Sequence, residues 1–326
     1  MGELDLAILL SGILAGASPI VLAALGETIT EKAGVINLSL DGTILLSAMA
    51  AFSISHMTQN LVAGFVTGAL VGGGVAAVMA FFAVYLGQSQ VAVGFVLTLM
   101  TRDLAYFIGN PFSRISGPVA PLTPIPGLES IPFFGPVFFS HSMPVYLSMA
   151  AIVITWAYLY HTPMGLNLRA VGEHPAAAFA RGLNPKIRQF GYAVAGGLLV
   201  GLAGSTFSLA VKPGWGRPQG AEGTGWIALA LVIFGGWHPV RAAFGAYLFS
   251  FLQIMGIHLQ GWLPSIPSQV FQVAPFPLMI FTLLIVGWVH RTDTRESPEA
   301  WTLSRRLLSM LAGSAPNALG KPYTSR

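Results

Sequence analysis

Sixty consecutive residues, from Gly42 to Thr101, contain no Asp, Glu, Lys or Arg. A helix crosses the hydrocarbon core of a bilayer, which is roughly 30 Å thick, with about 20 apolar residues. The uncharged stretch therefore predicts two or three membrane crossings joined by tight turns. A soluble domain would need charged residues around a core of this size, and this stretch offers none.

The rest of the chain repeats this pattern. Hydrophobic residues make up 54% of the sequence and charged residues 9%, whereas soluble domains carry about 25% charged residues. The uncharged runs are continuous rather than alternating, which favours helices over the strands of a β-barrel. The sequence thus predicts an all-α, polytopic transmembrane helical bundle of eight to ten spans. The further uncharged runs are 6–25, 130–168, 189–211 and 242–290.

Nine crossings are predicted from hydropathy, within a transmembrane domain of residues 1–290. The first is expected to be a retained helix, since Glu3 and Asp5 precede it where a signal peptide would be basic. The seventh is short and could form a hairpin with the eighth. The Arg-, Ser- and Pro-containing tail, 291–326, is expected to be partly disordered. The nine segments are 5–25, 43–59, 61–87, 89–109, 143–162, 190–211, 223–237, 240–257 and 275–290.

Basic residues predict the orientation. Twelve of the sixteen Lys and Arg residues fall on one side: four in the loop 163–189, six after residue 290, and Lys32 and Arg241 in two further loops. Cytoplasmic loops of membrane proteins carry this excess. The loop 163–189 and the C-terminus are therefore predicted to be cytoplasmic, which with nine crossings places the N-terminus outside. Because membrane topology accounts for the basic residues, the net charge of +4 does not indicate nucleic-acid binding.

Small residues recur at helical spacing within the spans. Gly64, Gly68 and Gly72 follow one another every four residues, and the pairs Gly12/Gly16 and Gly197/Gly201 repeat this spacing. Such rows let helix backbones approach closely in lipid. They predict tight helix packing, with a hinge or pore role as the alternative.

Enzyme and metal signatures are absent from the sequence. There is no cysteine, which excludes disulfides, thiolate catalysis and cysteine metal sites. The sequence also lacks the phosphate-binding G-x-x-x-x-G-K-[ST], H-E-x-x-H and G-x-S-x-G motifs, and its seven His are scattered singly. No catalytic residue and no metal site is predicted.

The loop 163–189 carries the signals of a short capped helix. Pro175 suits the first position of a helix, where a missing N–H costs nothing. Gly182 suits the left-handed residue that ends one. The sequence predicts a helix at 176–181, which is either a lever for a cytoplasmic partner or a plain connection.

Polar residues cluster near the first cytoplasmic turn. Gly34 and Gly42 would allow a broken or re-entrant helix there, and broken helices often form the binding sites of transporters. The alternative is a short loop whose charges lie in water. The cluster consists of Glu27, Glu31, Asn37 and Asp41.

Two charged residues lie inside the fourth predicted span. Arg102 and Asp103 are adjacent in sequence, so we expect them on different helix faces without a simple ion pair. Ionisable groups at this depth are costly. Arg102 therefore either snorkels in a structural role or lines a translocation path.

Three blocks resemble one family. The loop 165–189 resembles the cytoplasmic coupling segment of ABC-importer permeases. The block ALGETITEKAGVINLSLDG (24–42) resembles the N-terminal signature of the permease family for nucleosides and simple sugars, and GTGWIALALVIFGGWHPVRAAFGAYL (223–248) resembles its C-terminal block. The first block is closest to the nucleoside branch. It departs from that pattern at Ser39 and Asp41, where Gly and Glu are usual, and Thr98 stands where the family often has Asn.

This resemblance implies the permease subunit of an ATP-driven importer in the bacterial inner membrane, most similar to those for nucleosides. The alternatives are a permease for simple sugars such as ribose and a secondary transporter that needs no ATPase. The implied partners are a second permease subunit, identical or paralogous, a cytoplasmic ABC ATPase, an extracytoplasmic solute-binding protein, the small-molecule substrate and membrane lipid. No cofactor is expected in this chain, because ATP would bind a separate subunit.

The polar residues and the resemblance together give three groups of candidate site residues. Trp215 is expected either at the binding-protein contact or at the membrane interface. Path candidates are Asn37, Asp41, Thr98 and Arg102; ATPase-coupling candidates are Glu173, Ala176, Ala177, Arg181 and Gly182; binding-protein docking candidates are Trp215 and Arg217.

Overall fold

A computed structural model of the chain describes residues 6–262, 270, 277, 281, 314–321 and 323. Throughout that part the architecture is helical, with one isolated bridge between Leu122 and Ser142. The all-α prediction is confirmed. The helices are α1 (Leu6–Lys32), α2 (Leu40–Thr58), α3 (Leu61–Ala80), α4 (Gln90–Gly109), α5 (Phe134–Phe138), α6 (Met143–His161), α7 (Pro163–Glu173), α8 (Pro175–Ala180), α9 (Pro185–Thr206), α10 (Thr224–Phe234) and α11 (Pro239–Trp262).

Seven helices of the described part are long and apolar enough to cross a membrane. They are α1, α2, α3, α4, α6, α9 and α11, and single π-helical turns extend α3 to Tyr85 and α9 to Val211. Eight of the nine predicted segments coincide with helices. All but residues 277 and 281 of the ninth segment, 275–290, and most of the tail lie outside the described residues, so the division at 290 and the count of nine remain predictions.

The first helix is the centre of the bundle. From Ala17 to Glu31 every residue of α1 is buried. A helix that is apolar on all sides has no face suited to water and is stable when surrounded. Here α9, α11, α10 and α6 surround α1. The charged end of α1 is consequently held inside the protein.

Glycine rows form close helix contacts, as predicted. Gly72, which has no side chain, lies against the backbones of Gly197 and Gly201, where α3 crosses α9. Gly16 lies against Ser250, whose hydroxyl also donates to the Ile13 carbonyl at 3.0 Å and joins α1 to α11. Side chains at these positions would force the helices apart.

Candidate functional site

The helix break at 33–39 separates α1 from α2. Gly34 adopts a left-handed conformation, with φ of +93°, that turns the chain after Lys32. The chain then runs back along α1, since the Asn37 amide donates to Glu27 Oε1 at 2.9 Å. Glu27 lies five residues before the end of α1, which is about 7 Å of helix rise. The break therefore re-enters the protein instead of extending away from it.

Buried polar bonds hold this break. The Asn37 side-chain oxygen accepts from the Ser39 hydroxyl at 2.5 Å and from the Ser39 amide at 3.1 Å. The Ile36 amide donates to the Gln90 side chain at 2.7 Å, and the Trp237 indole N–H donates to Glu31. All four predicted cluster residues are buried, so the alternative of charges in water is wrong.

Two helix starts meet inside the bundle. The side chain of Asp41, in the first turn of α2, accepts from the Gly225 amide, in the first turn of α10, at 3.2 Å. Any side chain at Gly225 would overlap the Asp41 backbone. The eleven residues of α10 span about 16 Å, roughly half of the hydrocarbon core. A half-length helix whose first turn meets a buried carboxylate is typical of the interrupted helices at transporter binding sites.

The fourth span supplies Thr98 and Arg102. The Thr98 hydroxyl donates to the Leu38 carbonyl at 2.6 Å and ties α4 to the break. Arg102 pairs with Asp103 at 3.4 Å, so the expectation that these neighbours do not pair is wrong. The long flexible stem of Arg102 lets its guanidinium reach the Asp103 carboxylate although the two Cβ atoms diverge. Both side chains are exposed on this chain, by 42% and 73%.

A second polar network lies at the predicted outer face. Glu222 accepts from the Tyr106 hydroxyl, from the Gln219 amide at 2.8 Å and from the Gly220 amide at 2.5 Å. Burial acts to raise the pKa of Glu222, but these donors outweigh it and hold the pKa below its ordinary value. Glu222 was missed by the sequence reasoning, although an acidic residue in a glycine-rich loop before α10 was a usable signal.

The two docking candidates lie next to this network. Trp215 is buried, and its ring packs on that of Tyr106 with 5.5 Å between the ring centres. Its ring is therefore not accessible to a partner and instead packs beneath the surface residues. Arg217 is exposed and lies over the Tyr106 ring at 5.0 Å. A cavity of about 440 Å³ beside them is lined by Arg114, Lys212 and the 213–219 loop.

The predicted short helix exists, as α8. It begins at Pro175 and is followed by Gly182, whose φ of +84° matches the predicted left-handed cap. The sequence did not reveal α7, which precedes it and is capped by the Thr162 hydroxyl accepting from the Gly165 amide at 3.0 Å. Of the coupling candidates, Glu173 is half-buried, and the exposed ones are Ala176, Ala177, Arg181 and Gly182.

Cations gather at the end of the bundle that contains α7. Arg169 lies over the Tyr160 ring at 5.0 Å, and Tyr160 stacks on His238 at 5.1 Å. The pKa of His238 is lowered by burial and then by the nearby Arg241 and Lys32. Three loops predicted to share one side are therefore neighbours.

The sequence also matches a known protein family. Residues 9–285 match the family described as branched-chain amino acid transport system / permease component. The chain belongs to this permease family. The resemblance to binding-protein-dependent permeases is thereby confirmed, and so is a multi-pass membrane protein that transports rather than catalyses.

Several relatives of the permease have names. It is 37% identical over 258 residues to a Haloferax volcanii protein named as a candidate glucose ABC transporter permease, covering 77% of this chain and 78% of that one. It is 32% identical over 316 residues to the guanosine ABC transporter permease of Bacillus subtilis, covering 90% and 95%. It is 28% identical over 297 residues to a nucleoside ABC transporter permease of Lactococcus lactis, covering 86% and 92%. No solved structure matches the chain.

Proposed function

We propose that this permease is the membrane subunit of an ATP-driven importer that carries nucleosides across a bacterial inner membrane, with its C-terminus in the cytoplasm. The observation that carries the proposal is the 32% identity to a guanosine permease over nearly the full length of both chains. The buried junction of α2 and α10 is the candidate site at which the substrate would bind. Nucleosides are rich in hydrogen-bond donors, and the Asp41 carboxylate at the junction is a strong acceptor for such donors.

The substrate path in this proposal follows the broken helices. Asn37 lies in the break, Asp41 in the first turn of α2, and Thr98 in α4 beside the break. The Asn37 amide donates to the Glu27 carboxylate, whereas the side chains of Asp41 and Thr98 bond to the backbone of Gly225 and of Leu38. A small movement of α10 away from α2 would release the Asp41 carboxylate and the Gly225 amide toward a substrate. Irregular backbone is stable at membrane depth where it borders protein or a cavity.

A second permease subunit would cover the exposed face of α4. The ion pair Arg102–Asp103 lies within this span, and placing it against lipid would be costly. Protein or an aqueous path must therefore face it. A second copy or a paralogue satisfies this need and places Arg102 beside the path between the two subunits.

The cytoplasmic ATPase would grip α7 and α8. Phe179 is 53% exposed near the end of α8, next to the exposed coupling candidates. An apolar side chain presented by a short capped helix suits a shallow pocket on a partner. ATP would bind to that partner, so the permease needs no cofactor of its own.

The solute-binding protein would dock on the opposite face. Arg114, Lys212 and Arg217 are exposed there beside the 440 Å³ cavity. These cations fit acidic side chains on a partner, and charge complementarity speeds the encounter of two proteins.

A simple-sugar substrate is the second candidate. It is favoured by the 37% identity to the candidate glucose permease. A secondary transporter is disfavoured because such a protein would have no use for the exposed α7–α8 pair.

Uptake competition separates these candidates. Labelled guanosine and adenosine are supplied to cells that express the whole transporter gene cluster, with unlabelled ribose, glucose or nucleobases as competitors. We expect nucleoside uptake that other nucleosides block and sugars do not, and that disruption of 173–181 abolishes. Uptake of labelled ribose or glucose that nucleosides leave unaffected would assign the sugar branch instead.

A further inference from the structure

In the C-terminal segment 314–323, the described residues 314–321 and 323 return to the cytoplasmic end of the bundle. The Ala318 amide donates to the Gly172 carbonyl at 3.0 Å, and the Gly320 amide donates to the Gly34 carbonyl at 3.1 Å. These acceptors belong to different elements, because Gly172 is near the end of α7 and Gly34 is in the break. The segment therefore connects the α7–α8 pair to the helix break. It lies beyond residues 9–285, which match the family.

Further contacts fix the segment on both sides. The Asn317 amide donates to the Glu173 carboxylate at 3.1 Å, and the Tyr323 ring lies 6.2 Å from that of Phe179 on α8. Ala318 is buried. On the side of the break, Gly320 packs closely on Ile36: a methyl group there would lie 3.1 Å from the Ile36 terminal carbon, which would have to shift by a few tenths of an ångström.

We propose that 314–323 is a coupling strut, a positioning element that makes α8 and the break move as one body. This inference rests on the proposed function, in which the ATPase moves α7 and α8. A displacement of α8 would reach Gly34 through Tyr323, Ala318 and Gly320. Three residues beyond Gly34, the Asn37 amide holds Glu27. Movement at the ATPase contact would in this way alter the candidate path.

The test weakens the strut without removing it. Gly320→Val introduces strain, because φ is +74° there, and collides with Ile36. Ala318→Pro removes the amide that bonds to Gly172. The matched control is Gly127→Val, which has φ of +82° and open space around it in the loop predicted to lie outside. The control carries the same substitution and the same backbone strain at the other end of the bundle.

The readout is the number of guanosine molecules imported per ATP hydrolysed. It is measured with the complete transporter in proteoliposomes, together with the amount of assembled complex. We expect both strut variants to assemble normally and to lower this ratio by about fivefold or more, the lower end of ordinary coupling between sites. Gly127→Val should keep the wild-type ratio. An unchanged ratio in the strut variants, or a loss of assembly in both, would overturn the strut.

A cross-link tests the same inference without strain. The chain has no cysteine, so Phe179→Cys combined with Tyr323→Cys offers one reactive pair to a short bis-maleimide. We expect the pair to cross-link both in the nucleotide-free and in the ATP-bound complete transporter, since a strut stays on α8 throughout the cycle. Failure to link in either state would refute the strut, while ATP-dependent uptake by the wild type upholds the proposed function. Absence of ATP-dependent uptake in the wild type would refute both.

Discussion

At the scale of single residues, Asp41 is the side chain on which the proposed path depends most. Asp41→Asn keeps the size of the side chain and an oxygen for the Gly225 amide, but removes the charge. Hydrogen bonds to charged groups contribute about 1.5–3 kcal/mol, against about 1 kcal/mol for neutral ones. We therefore expect nucleoside uptake to fall by about tenfold at normal membrane abundance.

Glu129→Gln is the control for this substitution. It also removes one carboxylate, but from an exposed position in the loop 110–142, away from the proposed path. Surface substitutions of this kind change little, so its uptake should stay within about twofold of the wild type. Equal losses in both variants would show that any negative charge matters and that the junction has no special role.

Glu222 predicts a pH dependence at the outer face. Burial opposes its ionisation, but the donors around it keep its folded-state pKa below the ordinary 4.5. Its contribution to stability is therefore complete above pH 4.5 and is lost as the pH falls through the lowered value. In thermal unfolding of the purified permease, the wild type should lose more stability than Glu222→Gln on acidification below pH 4.5. Parallel curves for the two proteins would contradict this assignment.

At the scale of elements, the contact between α3 and α9 depends on missing side chains. Gly72→Val would overlap the backbones of Gly197 and Gly201. Overpacking costs about 1–3 kcal/mol even where the backbone can shift, so the folded permease in the membrane should decrease severalfold. Two residues on, Gly74 has open space around it, and Gly74→Val should change the amount little. Quantitative immunoblots of membranes measure the amount of each variant. Equal amounts of Gly72→Val and Gly74→Val would contradict this packing.

The end of α8 depends on one backbone conformation. Gly182→Val places a branched side chain at φ of +84°, where it strains the cap of the proposed coupling helix. Uptake should fall while membrane abundance is retained. Gly191→Val, on the neighbouring α9 in open space, is the control and should transport normally. Wild-type uptake by Gly182→Val would show that coupling does not depend on this cap.

The sequence predicted those elements that are encoded locally. Uncharged runs located the spans, and Pro175 with Gly182 located α8. The contact between Asp41 and Gly225 joins positions 184 residues apart, and no local pattern reports such a pairing. Trp215 shows the same limit: its loop sequence indicates an exposed aromatic residue, and only tertiary packing on Tyr106 buries it. The contacts of 314–321 with Gly172 and Gly34 likewise could not be predicted from local sequence, since the composition of the tail predicted disorder.

At the scale of the whole molecule, one continuous set of contacts links both faces. The outer network around Glu222 is followed directly by α10, whose first turn bonds to Asp41. At its other end α10 is followed by Trp237, which bonds to Glu31 beside the break. From the break, Gly34 and Gly172 connect to α7 and α8. An element that contacts both sides is what alternating access requires of a permease. The two ligands of such a device, a loaded binding protein outside and ATP inside, would bias one equilibrium.

The most direct test is guanosine uptake by the purified, complete transporter in proteoliposomes. Loaded binding protein is placed on one side and ATP on the other, with a proton or sodium gradient as the alternative energy source. The account predicts uptake that requires ATP and the binding protein, ignores both gradients, and drops with Asp41→Asn. Uptake driven by an ion gradient without ATP would contradict it.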